Sequence, residues 1–243
     1  MQRKDKATTM PTEIKVLSTT AMKTTLDALA GELERAGYTI NPAYGPSPRI
    51  AQRVADGEAA DVAIITAAAH GDLTRQGKLV PGIRYDVAKS SIAVGVRAGA
   101  PRPDISTPEK FKQAMLAAKS VGMSNPVGGG MSGGIVQRAF EQLGIWDAMK
   151  GKLTFGPGGP AGLVGFFLVR NEVEIGIQQN AELMAVPGVD IVGPLPGELQ
   201  VDTVFSLGAM TNATHAGAAK AVGEVLRSPA GIAAVKKMGH QSA

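Results

Sequence analysis

The 243-residue chain contains no cysteine, which excludes disulfides, thiolate nucleophiles and every cysteine-based metal site while leaving the redox compartment open. Histidine is almost as scarce: His70, His215 and His240 are too dispersed for a local metal-binding pair. Neither a metal nor another cofactor is expected. Aromatic residues make up only 4%, and no block of Lys and Arg interleaves with them, so the net charge of +4 gives no nucleic-acid surface. No apolar run reaches the length of a membrane span, and none follows Arg3, Lys4 and Lys6 as a secretory signal requires. As written the chain is expected in the cytoplasm, or in the periplasm if it is a processed form. Residues 1–13 read as a disordered tail.

What is present is hydrophobic residues at 44%, charged residues at 19% and 31 glycines, the balance of an alanine-rich α/β protein rather than a disordered one. Ile14 to Ser18 reads as a strand, and Met22, Leu26, Leu29, Ala30 and Leu33 follow at helical spacing up to Gly37. A strand over 39–44, a helix from Pro48 to Ala55 and an apolar strand from Val62 to Ile65 complete a β-α-β-α-β order. Such alternation implies a parallel sheet covered by helices. A strand over 90–96 opens a second α/β unit, and the pattern repeats. The lobe crossings are expected near 87–93 and 201–207. One lobe would then hold residues 14–90 and 204–243, and the other 91–203, with a cleft between them.

The most informative local feature is Gly128-Gly129-Gly130-Met131-Ser132-Gly133-Gly134, followed by Ile135, Val136, Ala139, Phe140 and Leu143 at helical spacing. A helix start leaves N–H groups without intrahelical partners, and glycines let a ligand approach the backbone, so the motif predicts a bound anion. No Gly-Lys-Ser or Gly-Lys-Thr follows, which excludes a Walker loop. A ligand-free glycine-rich link is the alternative. Gly130-Met131-Ser132-Gly133-Gly134 only approaches the Gly-x-Ser-x-Gly elbow of serine hydrolases.

Three fragments in order resemble the periplasmic molybdate-binding protein family, a type II solute-binding fold. They are Val16-Leu17-Ser18-Thr19-Thr20-Ala21-Met22; Tyr44-Gly45-Pro46-Ser47-Pro48-Arg49 leading to Gly57-Glu58-Ala59-Ala60-Asp61-Val62; and Leu143-Gly144-Ile145-Trp146-Asp147 with Val169 to Ile177 after it. The resemblance implies two α/β lobes joined by a two-crossing hinge. It also implies capture of a small anion, with an ABC transporter permease as partner if the chain is exported; the chain itself is expected to be a monomer. Carried over by position, the ligand contacts fall at Ala21, Ser47, Ser132, Ala161 and Gln179. Ala21 stands where the family has a serine and Gln179 where it has a tyrosine, so two donors for a tetrahedral oxyanion are missing or altered. Thr19, Thr20, Ser90 and Gln178, with the backbone at Gly130 and Gly133, offer donors for something larger, such as a carboxylate-bearing metabolite. Arg49 adds a candidate clamp, unless it is an ordinary solvated arginine.

The resemblance includes aconitate isomerase-like relatives, so an isomerase acting on a small polycarboxylate is the alternative to a binding protein. A proton shift beside carboxylates needs a base within reach of an acidic C–H bond and donors for the developing charge. The candidate bases are His70, after the strand that ends near Thr66, and Lys89. Their structural alternatives are a surface histidine near a helix start and a solvated charge beside the hinge.

Overall fold

A strand covered by helices on both faces is built mainly of apolar residues, and Val62–Thr66 (β3), apolar up to Thr66, is buried at all five positions. In the computed structural model, which describes residues 10–128, 130–157 and 162–243, β3 sits in a sheet with β1 (Thr12–Thr19), β2 (Tyr38–Gly45), β4 (Leu79–Ser90) and β10 (Thr203–Met210). The strand order is β2-β1-β3-β10-β4. β1 pairs in parallel with β2 and β3, whereas β10 runs antiparallel to both β3 and β4. The second sheet holds β5 (Ile92–Arg97), β6 (Val121–Ser124), β7 (Leu153–Gly156), β8 (Ile175–Gln179) and β9 (Val189–Pro194), ordered β7-β6-β8-β5-β9. β6 is parallel to β7 and β8, and β5 is antiparallel to β8 and β9.

Both sheets are therefore mixed, not parallel as the alternation of elements implied, because β5 and β10 enter their sheets directly from the other sheet rather than through a crossover helix. β1 begins at Thr12, inside the stretch expected as tail. The sequence reading also missed β4, which carries Pro81-Gly82 and reads as a turn, and β9, a short strand with Gly193-Pro194 at its end. The single helix expected up to Gly37 is two, α1 (Lys23–Ala28) and α2 (Ala30–Arg35), divided at Leu29.

Period-two alternation divides each sheet's core between two faces. Val16, Val62, Ile64 and Phe205 pack with Leu26 of α1, Leu33 of α2, Val222 of α10 (Ala218–Arg227) and Val235 of α11 (Pro229–Lys237). Leu17, Ala63 and Ile65 face Ile50 of α3 (Ser47–Ala55) and Leu73 of α4 (Ala67–Arg75). In the second sheet, Val94, Met123 and Ile177 pack with Phe111 of α5 (Pro108–Ala117), Phe140 of α6 (Met131–Gln142) and Met149 of α7 (Trp146–Met149). The opposite face meets Leu168 of α8 (Val164–Val169) and Leu183 of α9 (Asn180–Met184). Each such fully buried aliphatic or aromatic side chain contributes about 1.5–3 kcal/mol.

The chain leaves the first sheet at Ser90, enters the second at Ile92, and returns between Pro194 and Thr203. Asp202 ties the two passages together: its carboxylate lies 2.8 Å from the Lys89 ammonium and accepts from Ser91 Oγ at 2.9 Å. The C-terminal segment adds a second tie. Gly239 C=O accepts from Asn180 Nδ2 of α9 at 2.8 Å, and the buried His240 ring donates through Nε2 to Ala21 C=O at 2.9 Å.

Candidate functional site

Four strand ends converge: β1 at Thr19, β2 at Gly45 beside it, β6 at Ser124 and β8 at Gln179. Ligands in open α/β sheets bind outside the carboxyl ends of strands, and here two sheets present those ends to one another. Between them lies a cavity of about 20 Å³, room for one water-sized group. Thr19, Ala21, Ser47 and Phe205 line it from the first sheet, and Gly130, Ser132, Gln179 and Glu182 from the second. A groove of about 240 Å³ adjoins it, lined by Thr20, Lys23, Thr24, Leu163 and Phe166 and sharing Ala21 and Glu182.

Two helix starts flank the cavity. α3 begins at Ser47 and α6 at Met131, and neither Pro46 nor Gly130 supplies a side-chain cap. Uncapped first-turn N–H groups carry positive partial charge, the ordinary setting for an anion. Gly130 has φ 127°, a left-side conformation that favours glycine, and a Cβ placed there would lie 3.9 Å from Pro46 Cβ. The start of α6 in one lobe therefore lies close to the start of α3 in the other.

The side chains are neutral donors held by short local bonds. Ser47 Oγ donates to Thr19 Oγ1 at 2.8 Å, linking α3 to the end of β1. Ser132 Oγ donates to Ser124 Oγ at 2.9 Å, linking α6 to the end of β6. Gln179 donates through Nε2 to Thr203 Oγ1 at 3.4 Å, while its buried Oε1 has no partner among the described residues. Turning the amide over would give Thr203 an acceptor and present an N–H pair to the cavity.

Of the residues singled out from sequence, Thr19, Ala21, Ser47, Gly130, Ser132 and Gln179 line the cavity, and Thr20 lines the groove with a buried Oγ1 that has no partner among the described residues. Several others lie elsewhere. Arg49 is exposed on α3 and lines neither space. Gly133 is absent from the cavity lining and is needed for packing, since a Cβ there would sit 2.6 Å from Ser124 C=O. Gln178 is spent inside its own lobe, accepting from Val164 N–H at 2.8 Å. Ser90 is fully buried at the end of β4. Ala161 lies outside the described residues.

Neither candidate base reaches the cleft. His70 is buried in α4 against Gly208 of β10, where a Cβ would come within 2.5 Å of its ring. Burial, with the Arg84 charge, lowers its pKa and keeps the ring neutral. Lys89 is engaged with Asp202 between the lobes. The titratable group in the cavity is instead Glu182, partly buried on the first turn of α9. Burial pushes its carboxyl up to about 7, against a hydrogen bond from the Gln178 side chain. The sequence reading missed it because an acidic residue in a first helical turn is the ordinary partner of the helix dipole. Its position three residues past the end of β8 was the available signal.

Two α/β lobes joined by paired crossings, with a donor-lined cleft where their strand ends meet, define a solute-binding architecture. Over residues 14–241 the chain matches the bacterial extracellular solute-binding protein family, and it belongs to that family. It is 33% identical over 234 residues to aconitate isomerase from Pseudomonas sp., covering 94% of this chain and 87% of that protein. Its fold is shared with the periplasmic molybdate-binding protein of Azotobacter vinelandii, at TM-score 0.79 and 17% identity, covering 95% of this chain and 99% of that one. The sulfate-binding protein of Mycobacterium tuberculosis matches at TM-score 0.75 and 18% identity, covering 96% and 87%. Among the described residues no helix is long and apolar enough to cross a membrane.

Proposed function

We propose that the cleft takes a small polycarboxylate anion and isomerises it by a proton shift of the aconitate type. The observation that carries this reading is the donor set of the cavity. Hydroxyls of Thr19, Ser47 and Ser132 and the starts of α3 and α6 suit a carboxylate, and they stand beside a carboxyl that titrates near neutrality. Ala21 supplies no hydroxyl, which removes a donor that a compact tetrahedral oxyanion would use. The inner cavity is smaller than a polycarboxylate, and the groove beside it offers the remaining room. Identity of 33% across nearly the whole chain to a protein named aconitate isomerase supports the same substrate class.

A receptor without turnover is the second reading, favoured by membership of an extracellular solute-binding family. In that case the chain would work outside the cytoplasm and hand its ligand to an ABC transporter permease. A thermal-shift screen against molybdate, sulfate, citrate and cis- and trans-aconitate, with each stabilised mixture followed by proton NMR, separates the readings, because any ligand of the folded state raises apparent stability. Stabilisation by an aconitate with conversion to its isomer is the expected result. Stabilisation without conversion makes the protein a receptor, and stabilisation by molybdate or sulfate alone overturns the polycarboxylate assignment.

A further inference from the structure

We propose that Glu182 is the group that carries the proton, taking it from one carbon of a bound unsaturated polycarboxylate and returning it to another. This assignment rests on the isomerase reading above. Its geometric basis is that Glu182 and Ala21 are the residues shared by the inner cavity and the adjoining groove. A ligand with one carboxylate at Thr19, Ser47 and Ser132 must pass Glu182 to extend into the groove. Its next carboxylate there meets Thr20, whose buried Oγ1 has no partner among the described residues, and Lys23.

The charged groups facing Glu182 are few. Among the described residues, Lys23 is the only other ionisable side chain lining either space, and its ammonium is paired with Asp27 and stacked 5.5 Å from the Tyr44 ring centre. The remaining neighbours are neutral: Gln178 and Gln179 from β8, Thr19 and Thr20 from the first lobe, Ser132 from α6, and Phe166 from α8. Burial therefore governs the carboxyl's titration, and that titration supports proton exchange near neutral pH.

The step balances without a co-reactant. Ionised Glu182 accepts the proton of a CH₂ group beside a carboxylate, and the C–H electron pair becomes a new double bond to the central carbon. The former double-bond pair then takes the proton back from the Glu182 carboxyl at the far carbon, which restores the carboxylate. Charge that develops on the adjoining substrate carboxylate is met by the helix starts and hydroxyls of the cavity.

The test compares the wild-type protein with Glu182→Gln and Glu182→Asp, measuring cis-aconitate binding by calorimetry and conversion to the trans isomer by NMR across about pH 5 to about pH 9. Glu182→Gln is expected to bind cis-aconitate within about threefold of wild type and to lose about 10²- to 10⁴-fold in turnover, with the wild-type inflection near neutral pH abolished. Glu182→Asp is expected to keep partial turnover with a displaced inflection. Turnover by Glu182→Gln within about tenfold of wild type, with the inflection intact, overturns the assignment of Glu182 alone. Wild-type protein that binds aconitate without converting it overturns the isomerase reading instead. Loss of binding and turnover together in both variants assigns Glu182 to holding the ligand and refutes the proton-carrying role.

Discussion

Replacing Glu182 by Gln should stabilise the ligand-free protein, and the gain should grow with pH. The carboxyl titrates near 7 in the folded protein against an ordinary value of 4.5, because burial penalises its ionised form. A raised folded-state pKa gives stability that is whole below the unfolded value and is lost as pH climbs through the folded value, here between about 4.5 and about 7. Once ionised, the carboxyl costs the folded state about 3 kcal/mol, whereas near pH 5 the cost is about 1 kcal/mol. An amide of the same shape carries neither cost. Denaturant melts of both proteins at about pH 5 and about pH 8 should show the advantage of Glu182→Gln widening by about 2 kcal/mol. In thermal melts a gain of that size is about 4–8 °C for a chain of this length. Equal stability differences at the two pH values, or a Gln variant less stable at the higher one, would refute the claim that Glu182 is held in a desolvating site.

The remaining predictions concern the donors, the loop and one buried carboxylate. Ser47→Ala with Ser132→Ala should weaken cis-aconitate binding at least tenfold by calorimetry, since each hydroxyl offers about 1–3 kcal/mol of charge-assisted hydrogen bonding; unchanged affinity would remove the cavity as the ligand site. Gly130→Ala has open space for its methyl but a backbone at φ 127°, so it should cost about 1–3 kcal/mol in denaturant melts through strain alone. Asp61 accepts from the N–H groups of Lys15, Thr214 and His215 at 2.8–2.9 Å while 5% exposed. Asp61→Asn should therefore destabilise the first lobe by about 3 kcal/mol. Burial raises the Asp61 pKa, but the bonds from Lys15 and His215 outweigh it and the carboxyl titrates below its usual range. Its contribution is thus present above the ordinary carboxylate range and lost as acid takes the pH down through the lowered value, which an acid melt of the wild type against Asp61→Asn would show.

The fold was legible where local pattern and packing agree. Val62 to Ile65 is apolar at every position because helices cover both faces, and a helix does begin at Met131, past the carboxyl end of β6. The antiparallel course of β10 was not legible, since strand direction is set by where the chain re-enters the sheet and not by any residue in Thr203–Met210. β4 was hidden by Pro81 and Gly82, which usually mark turns but here lie within a strand at the sheet's edge.

The site divides in a similar way. Thr19, Ser47 and Ser132 were readable because each ends a strand or starts a helix in a stretch that resembles a known family. His70, Arg49 and Gln178 have the right chemistry but sit on faces turned to the core, to solvent and to the start of α8. A single sequence does not fix which way a helix or strand presents such residues. Glu182 shows the converse, because what distinguishes it from any first-turn glutamate is the burial of its carboxyl in the cleft.

The polycarboxylate cleft is tested most directly by a crystal structure of the protein with cis-aconitate at about pH 6, where Glu182 is largely protonated and the anion is not repelled. One ligand carboxylate is expected between the starts of α3 and α6, bonded to Ser47 and Ser132, with the ligand's carbon chain against Glu182 and its far end toward Thr20 and Lys23. Aconitate bound outside this cleft, or a cleft that takes only a tetrahedral oxyanion, would contradict it.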